Sequence, residues 1–109
     1  MKNEGQLTSQ IKTLLKVRGA YCEKIFGGGF QSSGIPDILA CYHGYFVAIE
    51  VKSPTGKGRA SDIQKLKIKA IRDAGGVAFI TDNIEDVERV LNFIDAGNLE
   101  LLSYNDRYF

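Results

Sequence analysis

The chain has 109 residues, of which 44% are hydrophobic and 25% are charged, values that exclude intrinsic disorder and fit one globular domain spanning residues 1–109. No apolar run approaches the roughly 20 residues that cross a bilayer, and the N-terminus lacks the apolar core of a signal peptide. We therefore expect a cytoplasmic protein without a membrane-spanning helix. Cys22 and Cys41 lack the spacing of a zinc or redox motif, so we expect both to be free, buried thiols, with a disulfide between them as the alternative.

The charges are unevenly distributed, although the formal net charge is only +1. Residues 52–72 contain seven basic residues against one acidic residue, a local balance of +6, whereas the balance from residue 82 onward is −5. One face of the protein could therefore meet phosphates while another does not. The alternative interpretation of the basic segment is an ordinary solvated helix face.

The first predicted element is a helix over about residues 3–18, because apolar residues recur there at helical spacing and Gly19 follows where a helix would stop. Those apolar residues are Leu7, Ile11, Leu14 and Leu15. Glu4 lies three residues before Leu7, so we expect it to share the buried face of this helix. The alternative for Glu4 is a first-turn carboxylate favoured by the helix dipole.

Three further segments follow in order. Residues 20–25 predict a short strand, and residues 27–34 have the glycine-rich composition of a mobile loop. Residues 36–42 and 45–52 are rich in β-branched and aromatic side chains and are separated only by His43-Gly44. That pattern predicts a β-hairpin with His43 as a turn residue.

The second half of the chain predicts a helix, a strand and another helix. A polar, glycine-rich segment at 53–59 precedes a helix that opens at Ser61, which fits a capping box with Gln64. Residues 77–81 predict a buried strand, and a third helix ends at Gly97. The expected apolar stripe of the second helix consists of Ile63, Leu66, Ala70 and Ala74, and that of the third consists of Ile84, Val87, Leu91 and Ile94. The order αβββαβα indicates an α/β fold.

The two-residue turn fixes the register of the hairpin, because residues that face each other then have numbers that add up to 87. Asp37 falls directly opposite Glu50, with β-carbons about 5 Å apart. Lys52 lies on the same face as Glu50 because side chains alternate along a strand. The other face carries Ile38, Ala40, Val47, Ile49 and Val51. The face of Glu50 also carries the apolar residues Leu39, Cys41, Phe46 and Ala48, so we expect a central hairpin that is covered on both sides.

Two buried carboxylates that face each other need a compensating cation, because like charges repel and burial raises a carboxylate pKa. The oxygens of Asp37 and Glu50, together with the Val51 carbonyl and water, form the kind of hard-oxygen site that Mg²⁺ prefers. Lys52 can orient an attacking water or stabilise developing negative charge. The alternative is an exposed edge hairpin in which a Glu-Lys ion pair contributes under about 1 kcal/mol.

The segments Gly34-Ile35-Pro36-Asp37 and Ile49-Glu50-Val51-Lys52 resemble the pattern of PD-(D/E)XK nucleases. Together with Ser53, Gln64 and Gly75-Gly76, they more narrowly resemble the VRR-NUC subfamily, in its stand-alone viral or phage form, over about residues 4–86. The resemblance implies a restriction-endonuclease-like αβββαβ core, with a central mixed sheet flanked by helices. It also implies hydrolysis of DNA phosphodiester bonds that depends on Mg²⁺ or Mn²⁺.

The resemblance also implies roles for individual residues. Asp37, Glu50 and the Val51 carbonyl would bind the metal, and Lys52 would be the catalytic lysine. Glu4 matches the acidic residue that family members place on the first helix, and Gln64 matches a glutamine that reaches the site from the second. A capping box alone also explains Gln64. Lys24 matches a basic residue near the phosphates.

The basic segment then becomes a candidate for contact with the DNA backbone, chiefly through shape and charge and without base reading. The candidate residues are Lys57, Arg59, Lys65 and Lys69. Proteins of this type are typically symmetric dimers that act on branched DNA, so we expect a homodimer that resolves four-way junctions. Residues 99–109 are a candidate dimer surface. The alternatives are a nuclease for linear duplex or flap DNA, and a binding module or accessory subunit that does not cut.

Overall fold

The computed structural model describes residues 3–26 and 33–109, so most of the expected loop at 27–34 lies outside the described residues. The elements in chain order are α1 (Glu4–Val17), β1 (Tyr21–Lys24), β2 (Ile38–Tyr42), β3 (Tyr45–Val51), α2 (Asp62–Asp73), β4 (Val77–Thr81) and α3 (Ile84–Ala96), followed by a 3₁₀ turn (Leu99–Leu101). Among these residues, no helix combines the length and the hydrophobicity that crossing a membrane requires.

Within the described ranges, four strands form one mixed sheet in the order β1-β2-β3-β4. The pairs β1/β2 and β2/β3 are antiparallel, and β4 runs parallel to β3. The main hydrophobic core lies between one face of the sheet and helices α1 and α3, while α2 packs on the other face over a smaller apolar cluster. The predicted α/β architecture, with a mixed sheet flanked by helices, is therefore confirmed.

Helix α1 follows the predicted bounds, but Glu4 does not share its buried face. Asn3 and Gln6 form a capping box that starts the helix. Burial begins only at Leu7, and the first turn, including Glu4, is exposed. The helical periodicity placed Glu4 on the correct side of α1, but the first turn extends beyond the packed core. The prediction that Glu4 is buried is therefore wrong.

Helix α2 begins at the predicted capping box, but a different face is buried. Ile63 and Leu66, which were assigned to the core, are 45% and 64% exposed, and Ile68 is completely buried instead. Gln64 and Ile68 share a face because they lie four residues apart. The hydrogen bonds that Gln64 makes toward the sheet select this rotation of the helix, so the apolar stripe alone predicted the wrong face.

The hairpin is central in the sheet, as predicted, but its turn end is open on the α2 side. Cys41 pairs with Phe46 near the turn; Cys41 is exposed and Phe46 is 47% exposed. Cys22 is buried, and neither cysteine forms a disulfide. The prediction of two free thiols is confirmed, whereas the prediction that both are buried is wrong for Cys41.

The C-terminal segment packs on its own chain. Tyr104 stacks on Phe79 with ring centroids 6.4 Å apart, and the Arg72 guanidinium lies 3.8 Å from the centre of the Tyr104 ring. Arg72 also forms hydrogen bonds of 2.8 and 3.1 Å with both carboxylate oxygens of Asp106. Tyr108 packs against the apolar cluster beneath α2. Several side chains of residues 99–109 are thus engaged within the protomer, which argues against this segment as a dimer surface.

Candidate active site

The predicted hairpin register is the one observed. Tyr42 pairs with Tyr45, and the ladder continues to Ile38 opposite Ile49. His43 and Gly44 have φ values of 49° and 83°, as a tight turn with two left-handed residues requires. The next step of the ladder places Asp37 opposite Glu50.

Asp37 lies directly before β2, at the end of the hairpin opposite the turn, and hydrogen bonds to its backbone and its side chain hold it there. Its carboxylate oxygen Oδ2 accepts a hydrogen bond of 2.8 Å from the Val51 N–H, and its carbonyl accepts one of 2.6 Å from the Ile25 N–H. The preceding turn requires a glycine, because Gly34 has a φ of 79° and a Cβ there would lie 2.9 Å from the Ile63 carbonyl oxygen. Hydrogen bonds to Val51 at the end of β3 and to Ile25 directly after β1 therefore hold Asp37 in place.

Glu50 is a buried carboxylate, with only 4% of its surface exposed. Burial raises its pKa to about 7, and the negative charge of Asp37 adds to the increase, while the Lys52 ammonium opposes it. A carboxylate with such a pKa gives up its proton readily when a cation arrives. The side chain of Val51 points into the main core, so only its backbone can take part in the site.

Lys52 and Gln64 complete a hydrogen-bonded network around Glu50. The Lys52 Nζ atom lies 3.3 Å from Glu50 Oε2 and donates a 2.9 Å hydrogen bond to Gln64 Oε1. The Gln64 amide nitrogen donates a 3.2 Å hydrogen bond to the same Glu50 oxygen. Gln64 Oε1 also accepts the Ser61 N–H at 3.0 Å, as the capping box predicts. The Gln64 side chain therefore makes both the contact expected of a helix cap and the contacts expected of a site residue.

Glu4 and Lys24 are not brought into this network. No hydrogen bond or ion pair links the exposed Glu4 side chain to another described residue. Lys24 pairs with Ile38 in the sheet, and its side chain therefore belongs to the face opposite Glu50. The Lys24 ammonium lies 4.7 Å from the centre of the Phe26 ring.

The four basic candidates for DNA contact fall into different environments. Arg59 and Lys65 line one small cavity beside the active site. Lys57 is exposed in the loop between β3 and α2. Lys69 forms a 2.7 Å ion pair with Asp73 on the outer surface of α2. Arg59 and Lys65 are therefore the pair that the fold brings together.

Sequence reasoning missed Asp82, which follows β4 and is 5% exposed. The Lys52 N–H donates to the carbonyl of Thr81, so Asp82 lies next to the end of β3. Its carboxylate accepts hydrogen bonds from Tyr108 at 2.8 Å and Asn83 at 3.0 Å, and it forms an ion pair with Arg107. A carboxylate directly after a buried strand beside Lys52 was the signal in the sequence. The tail residues carried no such signal.

The residues at the site fit a hard divalent cation. Within residues 3–26 and 33–109, no group of three or more His, Cys, Asp or Glu side chains gathers to form a metal cage. Mg²⁺ does not need one, because it usually binds through one or two carboxylates and fills its other positions with water and phosphate oxygens. The close carboxylates of Asp37 and Glu50 supply that donor set. Burial, and next the charge of Asp37, raise the pKa of Glu50, and a bound cation would offset both effects.

Comparison with known proteins identifies the fold. No protein-family model matches the sequence, and no curated protein matches it significantly. A solved structure described as a VRR_NUC domain superposes with a TM-score of 0.70, covering 84% of this chain and 97% of that chain at 22% sequence identity. The chain therefore has the restriction-endonuclease-like α/β architecture. Within that class, it adopts the fold of a VRR_NUC domain, as the resemblance in the sequence predicted.

Proposed function

We propose that the protein is a metal-dependent endonuclease that hydrolyses DNA phosphodiester bonds, with residues 1–109 acting as one nuclease domain. The observation that carries the proposal is the buried Glu50 carboxylate, which lies between Asp37 and Lys52 and is bonded to Gln64. Buried charges destabilise a fold unless they are paired, so this arrangement calls for a functional explanation.

Asp37, Glu50 and the Val51 carbonyl are the groups that would hold Mg²⁺ or Mn²⁺. When bound, the ion would polarise the scissile phosphate and neutralise charge that develops on its oxygens.

The chain's own contribution centres on Lys52. Its ammonium has three N–H donors, and the contacts with Gln64 and Glu50 occupy two of them. The third is available to a water molecule or to a phosphate oxygen. In that position Lys52 orients the attacking water and stabilises negative charge in the transition state, while Gln64 keeps the ammonium in place.

The proposed substrate is branched DNA, with four-way junctions first, and the proposed active form is a homodimer. Each chain supplies one site, and symmetric cleavage of two strands requires two. The basic residues Lys24, Lys57, Arg59, Lys65 and Lys69 are the proposed contacts with the DNA backbone. For the contact with a second copy we propose the exposed apolar surface of α2 and the hairpin, which includes Phe46, Ile63 and Leu66. The free thiols are consistent with the cytoplasm, or the host cytoplasm for a viral protein.

The decisive experiment compares cleavage of a four-way junction, a flap and a linear duplex by the wild type, Asp37→Ala and Lys52→Ala, with Mg²⁺, with Mn²⁺ and with a chelator. We expect metal-dependent cleavage, most rapid on the junction, that both substitutions abolish. Lys16→Gln, which removes an exposed charge from α1, is the matched control and should cut normally. Cleavage that survives in Asp37→Ala and Lys52→Ala contradicts the mechanism. Salt-sensitive binding without cleavage by the wild type favours a binding module.

A further inference from the structure

A small polar cavity lies beside the active site, with a volume of about 260 Å³. We call it the Arg107 cavity. Its lining residues are Gly56, Gly58, Arg59, Ala60, Lys65, Arg107 and Tyr108. The three cations come from three separate segments: the loop after β3, the first turns of α2, and the C-terminal tail. Arg59 and Lys65 belong to the basic segment at 52–72, whereas Arg107 joins them only through the fold.

The Arg107 cavity shares a wall with the catalytic residues. A Cβ added to Gly58 would lie 3.3 Å from Lys52 Cβ, so the backbone of the loop runs directly along the Lys52 side chain. On the other side, Lys65 follows Gln64 in α2. The cavity is therefore lined by the loop that contacts the Lys52 side chain and by the helix that carries Gln64.

The tail that brings Arg107 to the cavity is firmly attached. Tyr108 donates a 2.8 Å hydrogen bond to Asp82 Oδ2, and its ring packs on the apolar cluster beneath α2. Arg107 pairs with the other oxygen of the same buried carboxylate, yet 47% of the Arg107 side chain stays exposed. Asp82 therefore fixes the position of Arg107 and leaves part of its guanidinium open to a ligand.

The charges of the cavity do not balance within the protein. Asp82 offsets one of the three cations. The Arg59 guanidinium donates to the carbonyls of Lys57 and Gly58, which are neutral acceptors. In the described part of the chain, no carboxylate forms an ion pair with Arg59 or Lys65. The remaining positive charge favours an anion with several acceptor oxygens, which matches a phosphodiester group.

We infer that the Arg107 cavity binds a backbone phosphate next to the one that is cut, through Arg59, Lys65 and Arg107 together. This inference rests on the proposed nuclease function and adds the C-terminal tail to the substrate-binding surface. It also gives buried Asp82 a role: the carboxylate positions the arginine that contacts the strand.

The test measures binding without cleavage. The affinity for a short fluorescein-labelled DNA duplex is followed by anisotropy in the presence of a chelator, over a series of salt concentrations. Arg107→Gln should weaken binding and reduce the slope of log K against log salt by up to about 0.9, the value for one fully lost phosphate contact. Lys16→Gln, which removes a charge on the other side of the sheet, should keep the wild-type slope.

Two variants separate a lost contact from a damaged fold, because Arg107→Gln leaves Asp82 without its ion-pair partner. Arg107→Lys retains the charge and should restore the wild-type slope. Lys65→Gln leaves the Asp82 pair intact and should reduce the slope as much as Arg107→Gln. Wild-type slopes in both Arg107→Gln and Lys65→Gln would overturn the inference, even for an active nuclease. If the slopes change as predicted but the protein cleaves no DNA, the result would support phosphate binding in the Arg107 cavity and contradict the proposed nuclease function.

Discussion

The side-chain amide oxygen of Gln64, Oε1, accepts a 2.9 Å hydrogen bond from the Lys52 ammonium, and it also accepts the Ser61 N–H in the capping box that starts α2. The start of a helix and the placement of the proposed catalytic lysine therefore depend on one side chain. Loss of this amide should affect the chemistry more than the fold, because the cap is exposed whereas Lys52 is nearly buried.

The first prediction concerns Gln64→Ala. The substitution removes the hydrogen bonds to Lys52 and Glu50, and we expect DNA cleavage to fall by roughly 10- to 100-fold, as for other residues that orient catalytic groups. Single-turnover cleavage rates measure this effect, and binding in a chelator should change little. Gln6→Ala, which removes the equivalent glutamine from the capping box of α1, is the control and should cut at the wild-type rate.

The second prediction concerns the cap residue Ser61. Ser61→Ala removes the side-chain acceptor of the Gln64 N–H and should cost about 1 kcal/mol of stability. Because Gln64 is then held less firmly, we also expect slower cleavage. Asn3→Ala removes the matching cap of α1 and should cost a similar stability with no effect on the rate. Denaturant unfolding and cleavage assays test the pair; equal rates for the two variants would contradict the link between the cap and the site.

The third prediction concerns pH. The pKa of Glu50 is raised from 4.5 to about 7 in the folded, metal-free protein, so the folded state binds more protons than the unfolded state between these values. The stability that this bound proton adds to the fold is fully present below the unfolded pKa of 4.5, and it is lost as the pH rises through about 7. A shift of this size corresponds to a loss on the order of 3 kcal/mol.

Denaturant unfolding at about pH 5 and about pH 8 measures that loss, with Glu50→Gln as the comparison because a glutamine does not titrate. We expect the metal-free wild type to lose more stability than Glu50→Gln over this interval. Mg²⁺ should stabilise the wild type at the higher pH and leave Glu50→Gln nearly unchanged. The same pH dependence in both proteins would refute the raised pKa of Glu50.

The fourth prediction concerns assembly. Leu66 is 64% exposed on α2, and Leu66→Glu should convert the proposed dimer to a monomer by placing charge in the apolar contact. Val17→Glu is a matched control, because Val17 is 79% exposed on α1, which packs on the other face of the sheet. Light scattering over a range of concentrations gives the molar mass. A dimer that persists in Leu66→Glu would exclude this surface.

The parts of the fold that sequence reasoning predicted were those governed by local rules. A two-residue turn sets the hairpin register by counting, and the alternation of side chains then separates Glu50 and Lys52 from the core face. The capping box of Ser61 and Gln64 likewise marked the start of α2.

The parts that it missed depend on contacts between distant residues. The rotation of α2 follows from the bonds of Gln64 to the sheet, although Ile63 and Leu66 look like core residues in the sequence. The position of the C-terminal tail follows from its contacts with Arg72 and Asp82. No periodic pattern in the sequence predicts such contacts. Glu4 was placed on the correct side of its helix, but periodicity cannot tell where the core ends.

The short turn at His43 and Gly44 also restricts how this protein can evolve. An insertion of a single residue there would either be absorbed as a bulge or shift one strand against the other. In the second case Glu50 would exchange places with an aliphatic neighbour, and a mutation far from the site would remove the proposed activity. Lineages that keep activity should therefore vary the length of this turn less than that of other surface loops.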